Sequence, residues 1–89
     1  MLSFLKALND IENEIKTKFK QKRKSLKLSQ KELSTKSGIS LGSLKRFEQT
    51  GKISFSSLLQ LAVVLECLEE FSNICNQKEE FKTIEDILK

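Results

Sequence analysis

The side chains of this 89-residue sequence that could do chemistry fall into two groups, and both are suited to holding an anion. Eight basic residues, Lys16, Lys18, Lys20, Lys22, Arg23, Lys24, Lys27 and Lys31, run without an acidic residue among them. A short way on, Ser40, Ser43, Lys45 and Arg46 bring hydroxyl, ammonium and guanidinium donors onto one short segment. A run of cations neutralises a polyanion, and donors of these types bond phosphate oxygens or base edges.

Catalysis is poorly served by comparison. There is no histidine, no glycine-rich phosphate loop, and no serine or cysteine with a recognisable base partner. Glu69, Glu70, Glu79 and Glu80 read as a solvated acidic face and not as an acid/base pair. Cys67 and Cys75, without histidine, are too few for a structural zinc and read as reduced, partly buried small hydrophobes. The residues therefore imply no enzyme, no cofactor and no metal site.

The formal net charge of +4 understates how the signs are distributed. From Glu66 to Asp86 seven acidic residues face only Lys78 and Lys82, so a basic front precedes an acidic rear. With 38% hydrophobic and 31% charged residues, the chain has the composition of one soluble domain. No apolar run approaches the ~18 residues of a membrane span, and MLSFLKALND lacks the features of a secretory signal. A cytoplasmic protein with no membrane partner is the expectation.

Proline is absent and glycine occurs three times, which favours helices joined by tight turns. Phe4, Leu8, Ile11, Ile15 and Phe19 recur at helical spacing, predicting a first helix to about Lys24. Its start is open between Ser3 and the residues after Asn9-Asp10, which can turn or cap. Ser29-Gln30-Lys31-Glu32 has the form of a capping box that opens a second helix, and Gly38 closes it. Ile39 then enters the core. Ser40 caps a third helix, with Leu44 and Phe47 inward and a stop near Gly51. Ser54 caps a fourth, with Leu58, Leu61, Ala62 and Leu65 inward and Leu59 and Val63 widening the apolar face. Leu68, Phe71, Ile74 and Cys75 suggest a short fifth helix, and Phe81, Ile84, Ile87 and Leu88 continue the spacing through an acidic tail. The expected fold is all-α, a compact bundle of about five helices. Residues 1–10 would extend helix 1, 11–75 form the domain, and 76–89 the amphipathic tail.

Two short helices about a glycine turn, the second capped by serine, form a helix-turn-helix unit. LSQKELSTKSGISLGSLKRFEQTG, residues 28–51, resembles the lambda-repressor-like (XRE/Cro) helix-turn-helix family, and the likeness extends over about residues 11–66. The resemblance implies sequence-specific binding of double-stranded DNA, with Ser40 to Gln49 as recognition helix. It places Gln30 against a phosphate, and Ser40, Leu41, Gly42, Ser43, Lys45 and Arg46 near base edges. Ser43 and Lys45 are the foremost base-contact candidates, while Arg46 suits guanine or phosphate. Lys20, Lys22, Lys24, Lys27 and Lys52 are candidate phosphate neighbours. The resemblance also pairs Arg23 with Glu48 as a structural ion pair; otherwise Arg23 is a solvated surface residue. Ser34 stands where the family usually has alanine and is expected to bond back to its own helix. Gly42 costs helix propensity and removes a side chain that often reads a base, shifting weight to DNA shape.

The resemblance further implies a homodimer on a palindromic operator. Its interface is expected from helix 5 and the tail, unless those residues wrap their own core. Residues 44–74, LKRFEQTGKISFSSLLQLAVVLECLEEFSNI, lack the family's usual proline and resemble HipB-like antitoxins. That implies an autoregulating repressor of a toxin-antitoxin operon with a HipA-like kinase toxin as partner. The alternatives are a stand-alone phage- or plasmid-type repressor, or a protein-interaction module that has lost DNA binding.

Overall fold

The computed structural model describes residues 2–76, and five helices make up its framework. Helix α1 (Leu2–Ser25) runs through Asn9-Asp10 without a break, which settles its start. Neither residue forbids helix; each costs no more than about 0.7 kcal/mol relative to alanine. Lys22, Arg23 and Lys24 fill its last turn, where cations oppose the negative end of the helix dipole. The helix closes as a Schellman turn: Leu28 N–H reaches the Arg23 carbonyl at 3.1 Å and Lys27 N–H the Lys24 carbonyl at 2.9 Å. Lys27 takes the left-handed conformation there, at φ 59°.

Helix α2 (Gln30–Ser37) opens with the full capping box. Ser29 Oγ accepts from Glu32 N–H at 3.0 Å, and Glu32 Oε1 accepts from Ser29 N–H at 2.8 Å. It ends on Gly38 at φ 78°, and the turn drops Ile39 into the core. Helix α3 (Leu41–Thr50) is capped by Ser40 and ends on Gly51 at φ 79°. Helix α4 (Phe55–Val64) is capped by Ser54 and closes with Glu66 left-handed at φ 62°. A single-turn helix, α5 (Leu68–Ser72), follows.

Phe47, Leu33, Leu44, Leu61 and Leu65 are fully buried where α2, α3 and α4 meet, and Phe19 seats α1 on them. The Phe19 ring stands edge-on to Phe47 with centroids 5.6 Å apart, and to Phe71 at 6.1 Å.

Three expectations need correction. The fifth helix is shorter than the apolar spacing suggested: Ile74 and Cys75 lie past its end in a turn, both exposed, with Cys75 at φ 61°. Cys75 is therefore not partly buried, whereas Cys67 is half-buried. Val63 does not widen the buried face of α4; it is exposed. The tail residues Phe81, Ile84, Ile87 and Leu88 lie outside the described residues.

Candidate nucleic-acid interface

Helix α3 divides cleanly around its circumference. Leu44, Phe47 and Glu48 face inward and are buried, which at 100° per residue leaves Gly42, Ser43, Lys45 and Arg46 facing solvent. Leu41 is half-buried at the boundary. At the N-terminal end Ser40 Oγ accepts from Ser43 N–H at 3.2 Å and donates to Ser43 Oγ at 2.9 Å. The Ser43 hydroxyl hydrogen thus remains free to donate outward. A Cβ at Gly42 would meet nothing within 4 Å, so no neighbour within the chain requires glycine there.

The inward face is fixed by an ion pair. Arg23 and Glu48 are both buried, and the guanidinium grips the carboxylate with two bonds, Nε to Oε2 at 2.8 Å and Nη2 to Oε1 at 3.0 Å. The third guanidinium nitrogen, Nη1, bonds the Leu28 carbonyl at 2.9 Å, and Gln30 Nε2 donates to Glu48 Oε1 at 2.9 Å. Burial pushes the Glu48 carboxyl up, but hydrogen bonds from Arg23 and Gln30 and the Arg23 charge outweigh it, leaving it below the usual carboxylate range. One cluster therefore ties the end of α1, the α1–α2 turn and the start of α2 to the recognition-helix candidate.

A second clamp holds the other end of α3, and the sequence reading missed it. Lys16 Nζ donates to the Gln49 carbonyl at 2.7 Å, where the last turn of a helix has free acceptors. Lys52 Nζ meets both Glu12 oxygens at 2.8 and 2.9 Å. Gly51 lies against the α1 backbone: a Cβ there would come within 3.1 Å of the Glu12 carbonyl oxygen. Ser34, expected to bond back to its helix, instead donates across the turn to the Ile39 carbonyl.

The candidate residues thus sort by position. Gly42, Ser43, Lys45 and Arg46 are exposed along α3, with Ser43 and Lys45 on opposite flanks of Gly42 and Arg46, and Ser40 is exposed at its N-terminal cap. Gln30 sits beside them in the first turn of α2, its amide already engaged by Glu48 and one N–H left over. Lys27 is exposed in the α1–α2 turn. Lys52 is not brought to this end; it lies past the far end of α3, about 15 Å along the axis from Ser40, and is paired with Glu12. Among the described residues no three His, Cys, Asp or Glu side chains gather as a metal site would need, and no helix is long and apolar enough to cross a membrane.

A short capped helix with donors along its outer face, held at both ends by the body behind it, is what a DNA major groove admits. Residues 19–71, from the last two turns of α1 to α5, match the model of the helix-turn-helix family. The chain belongs to the helix-turn-helix family. Its members of this lambda-repressor-like type are DNA-binding transcription regulators. The matched segment contains the Arg23–Glu48 cluster and all of α2 and α3; the first seventeen residues of α1 lie outside it. No curated protein and no solved structure matches the chain.

Proposed function

We propose that this helix-turn-helix protein is a sequence-specific repressor that binds a palindromic operator as a homodimer. The observation that carries the reading is the outward face of α3, where Ser40, Ser43, Lys45 and Arg46 stand exposed on a helix fixed from behind by buried Arg23 and Glu48. In this reading Ser43 and Lys45 contact base edges, with Ser40, Leu41 and Gly42 lying close to the groove wall. Arg46 binds guanine or the adjoining phosphate. Gln30, with its remaining N–H at the start of α2, and Lys27 in the turn anchor phosphates. Lys52 would have to exchange Glu12 for phosphate.

The finer reading is an autoregulating HipB-like antitoxin with a HipA-like kinase as partner. It is supported by the likeness of residues 44–74 to such regulators, and by nothing in the fold that is peculiar to them.

The test is a salt titration of binding to the DNA upstream of the protein's own coding sequence, against a scrambled duplex of equal length. Tighter binding to the upstream DNA is expected, with log affinity falling about 0.9 per log salt for each phosphate engaged. Equal weak binding to both duplexes would overturn the reading in favour of a protein-interaction module. Co-purification with a kinase encoded beside it tests the antitoxin role.

A further inference from the structure

Helix α1 continues past the body of the protein. Every described side chain from Ser3 to Ile11 is exposed, and the first to be partly covered are Glu12 and Ile15. The overhang is about 15 Å of helix at 1.5 Å per residue. It is not polar, as a solvated helix end would be: Phe4, Leu5, Leu8 and Ile11 are 60%, 51%, 48% and 53% exposed.

These residues are ordered around the helix. Phe4, Leu8, Ile11 and Ile15 follow at steps of four, three and four, the alternation that makes one seam for a partner helix. Lys6 and Asp10 fall about 160° around the helix from Leu8, away from the seam, and Glu12, which borders it, is neutralised by Lys52. The seam then runs into the body. Ile15 and Phe19 form one wall of an open groove of about 420 Å³, with Cys67, Phe71 and Ile74 on the α4–α5 side and charged rims of Glu14, Lys18 and Lys22 on α1 and Glu66 and Glu70 opposite.

We infer that a second copy of this chain covers this strip, the two α1 overhangs lying antiparallel. In that register Phe4 meets Ile15 of the second copy at the mouth of its groove, and Leu8 meets Ile11 of the second copy. Projection and groove thus lie on one strip with the spacing a two-fold axis needs, so the surface complements itself. Phe4, Leu8 and Ile11 of the seam with the flanking Leu5 offer roughly 400 Å² per copy, within the range of the largest, often functional, apolar patch on a monomer. Buried on both copies they give about 800 Å², the range of a weak, concentration-dependent association and not of an obligate dimer. Glu12 and Lys16 hold the C-terminal end of α3, so its Ser40 end lies about 15 Å further along that helix and stays available. The pairing rests on the dimeric-regulator reading and assigns its interface to α1, not to α5 and the tail.

Sedimentation of the full chain without DNA, from roughly 1 to 100 µM, tests it. A concentration-dependent dimer is expected for the unmodified chain and for Val63→Glu, a control at an exposed apolar position on α4. Leu8→Glu and Ile11→Lys should each weaken self-association at least tenfold with helix content unchanged, both positions being exposed. Mixing those two variants should restore a heterodimer, because the register sets position 8 opposite position 11. A monomer throughout, undiminished association of Leu8→Glu, or absence of the mixed dimer would overturn the proposal. Association lost only on removing residues 77–89 would overturn it too, in favour of the tail. Since no DNA is present, a chain that pairs through α1 yet binds no operator would sink the repressor reading while leaving the pairing intact.

Discussion

Gln30 and Glu48, eighteen positions apart, are joined by a hydrogen bond of 2.9 Å from Nε2 to Oε1, so the residue that opens α2 also completes the buried pair behind α3. Removing Arg23 strands a buried carboxylate, and removing Glu48 strands a buried guanidinium. Arg23→Ala and Glu48→Ala should each cost about 3–5 kcal/mol in urea unfolding. Replacing both together with apolar residues should cost much less than the sum. Gln30→Ala, which deletes one bond to a charged acceptor, should cost about 1–2 kcal/mol. A Gln30→Ala protein as stable as the parent would show that the contact is incidental.

The same cluster sets the response to acid. The Glu48 carboxyl is held below its usual value near 4.5, so its contribution to stability is complete above that pH and lost as pH falls through the folded value. The Glu32 carboxyl is lowered too, by the Ser29 backbone N–H and then its hydroxyl. Urea midpoints should therefore be flat from about pH 7 to 5 and decline below about 4.5. In Glu48→Gln the decline should be shallower; an identical acid profile would assign the transition to other carboxylates.

Two glycines are constrained differently and a third is not. Gly38→Ala meets open space but must adopt φ 78°, at a cost of about 1 kcal/mol. Gly51→Ala pays the same strain and also drives a Cβ to 3.1 Å from the Glu12 carbonyl oxygen, so it should lose more and loosen α1 from α3. Gly42→Ala, unobstructed inside a helix, should stabilise by about 0.5–1 kcal/mol. Thermal denaturation of the three variants checks the order.

Lys27 is exposed and left-handed at φ 59°, a conformation that suits glycine better. Lys27→Gly should raise stability by up to about 1 kcal/mol. If Lys27 also anchors a phosphate, the same variant should lower the salt slope of DNA binding by about one contact. Opposite signs in the two measurements would separate its backbone role from its charge; an unchanged slope would remove it from the interface.

The two thiols should react at different rates. Burial, then the nearby Glu70 charge, pushes the Cys67 thiol up, and the side chain is half-buried, whereas Cys75 is exposed. A thiol reagent at neutral pH should label Cys75 first, with Cys67 following at least several-fold more slowly. Equal rates would mean that the α4–α5 turn opens freely.

What could be read in the sequence was local. Serine caps at 29, 40 and 54 and glycine stops at 38 and 51 act on backbone groups within a turn or two, so their spacing is their mechanism. Leu44 and Phe47 facing inward likewise fix which α3 residues face out. The far clamp was not legible: Lys16 reaching the Gln49 carbonyl and Glu12 holding Lys52 depend on how α1 crosses α3, and no spacing encodes a contact 33 or 40 residues away. Arg23 and Glu48 could be joined only through family likeness, for the same reason. The left-handed residues Lys27, Glu66 and Cys75 escaped notice because none is a glycine or asparagine. The last of them stands just past the point where the fifth helix stops short.

Gly42 leaves the outer wall of α3 with a vacant place in a row of donors, open on every side within the chain. A Cβ introduced there meets no neighbour in the chain, so apart from helix propensity its effect would fall on whatever α3 contacts. If α3 reads an operator as proposed, this is where its preference would drift by a single codon change in a lineage of such proteins while the body stays the same. In the laboratory it is the position at which to begin teaching the protein a new site.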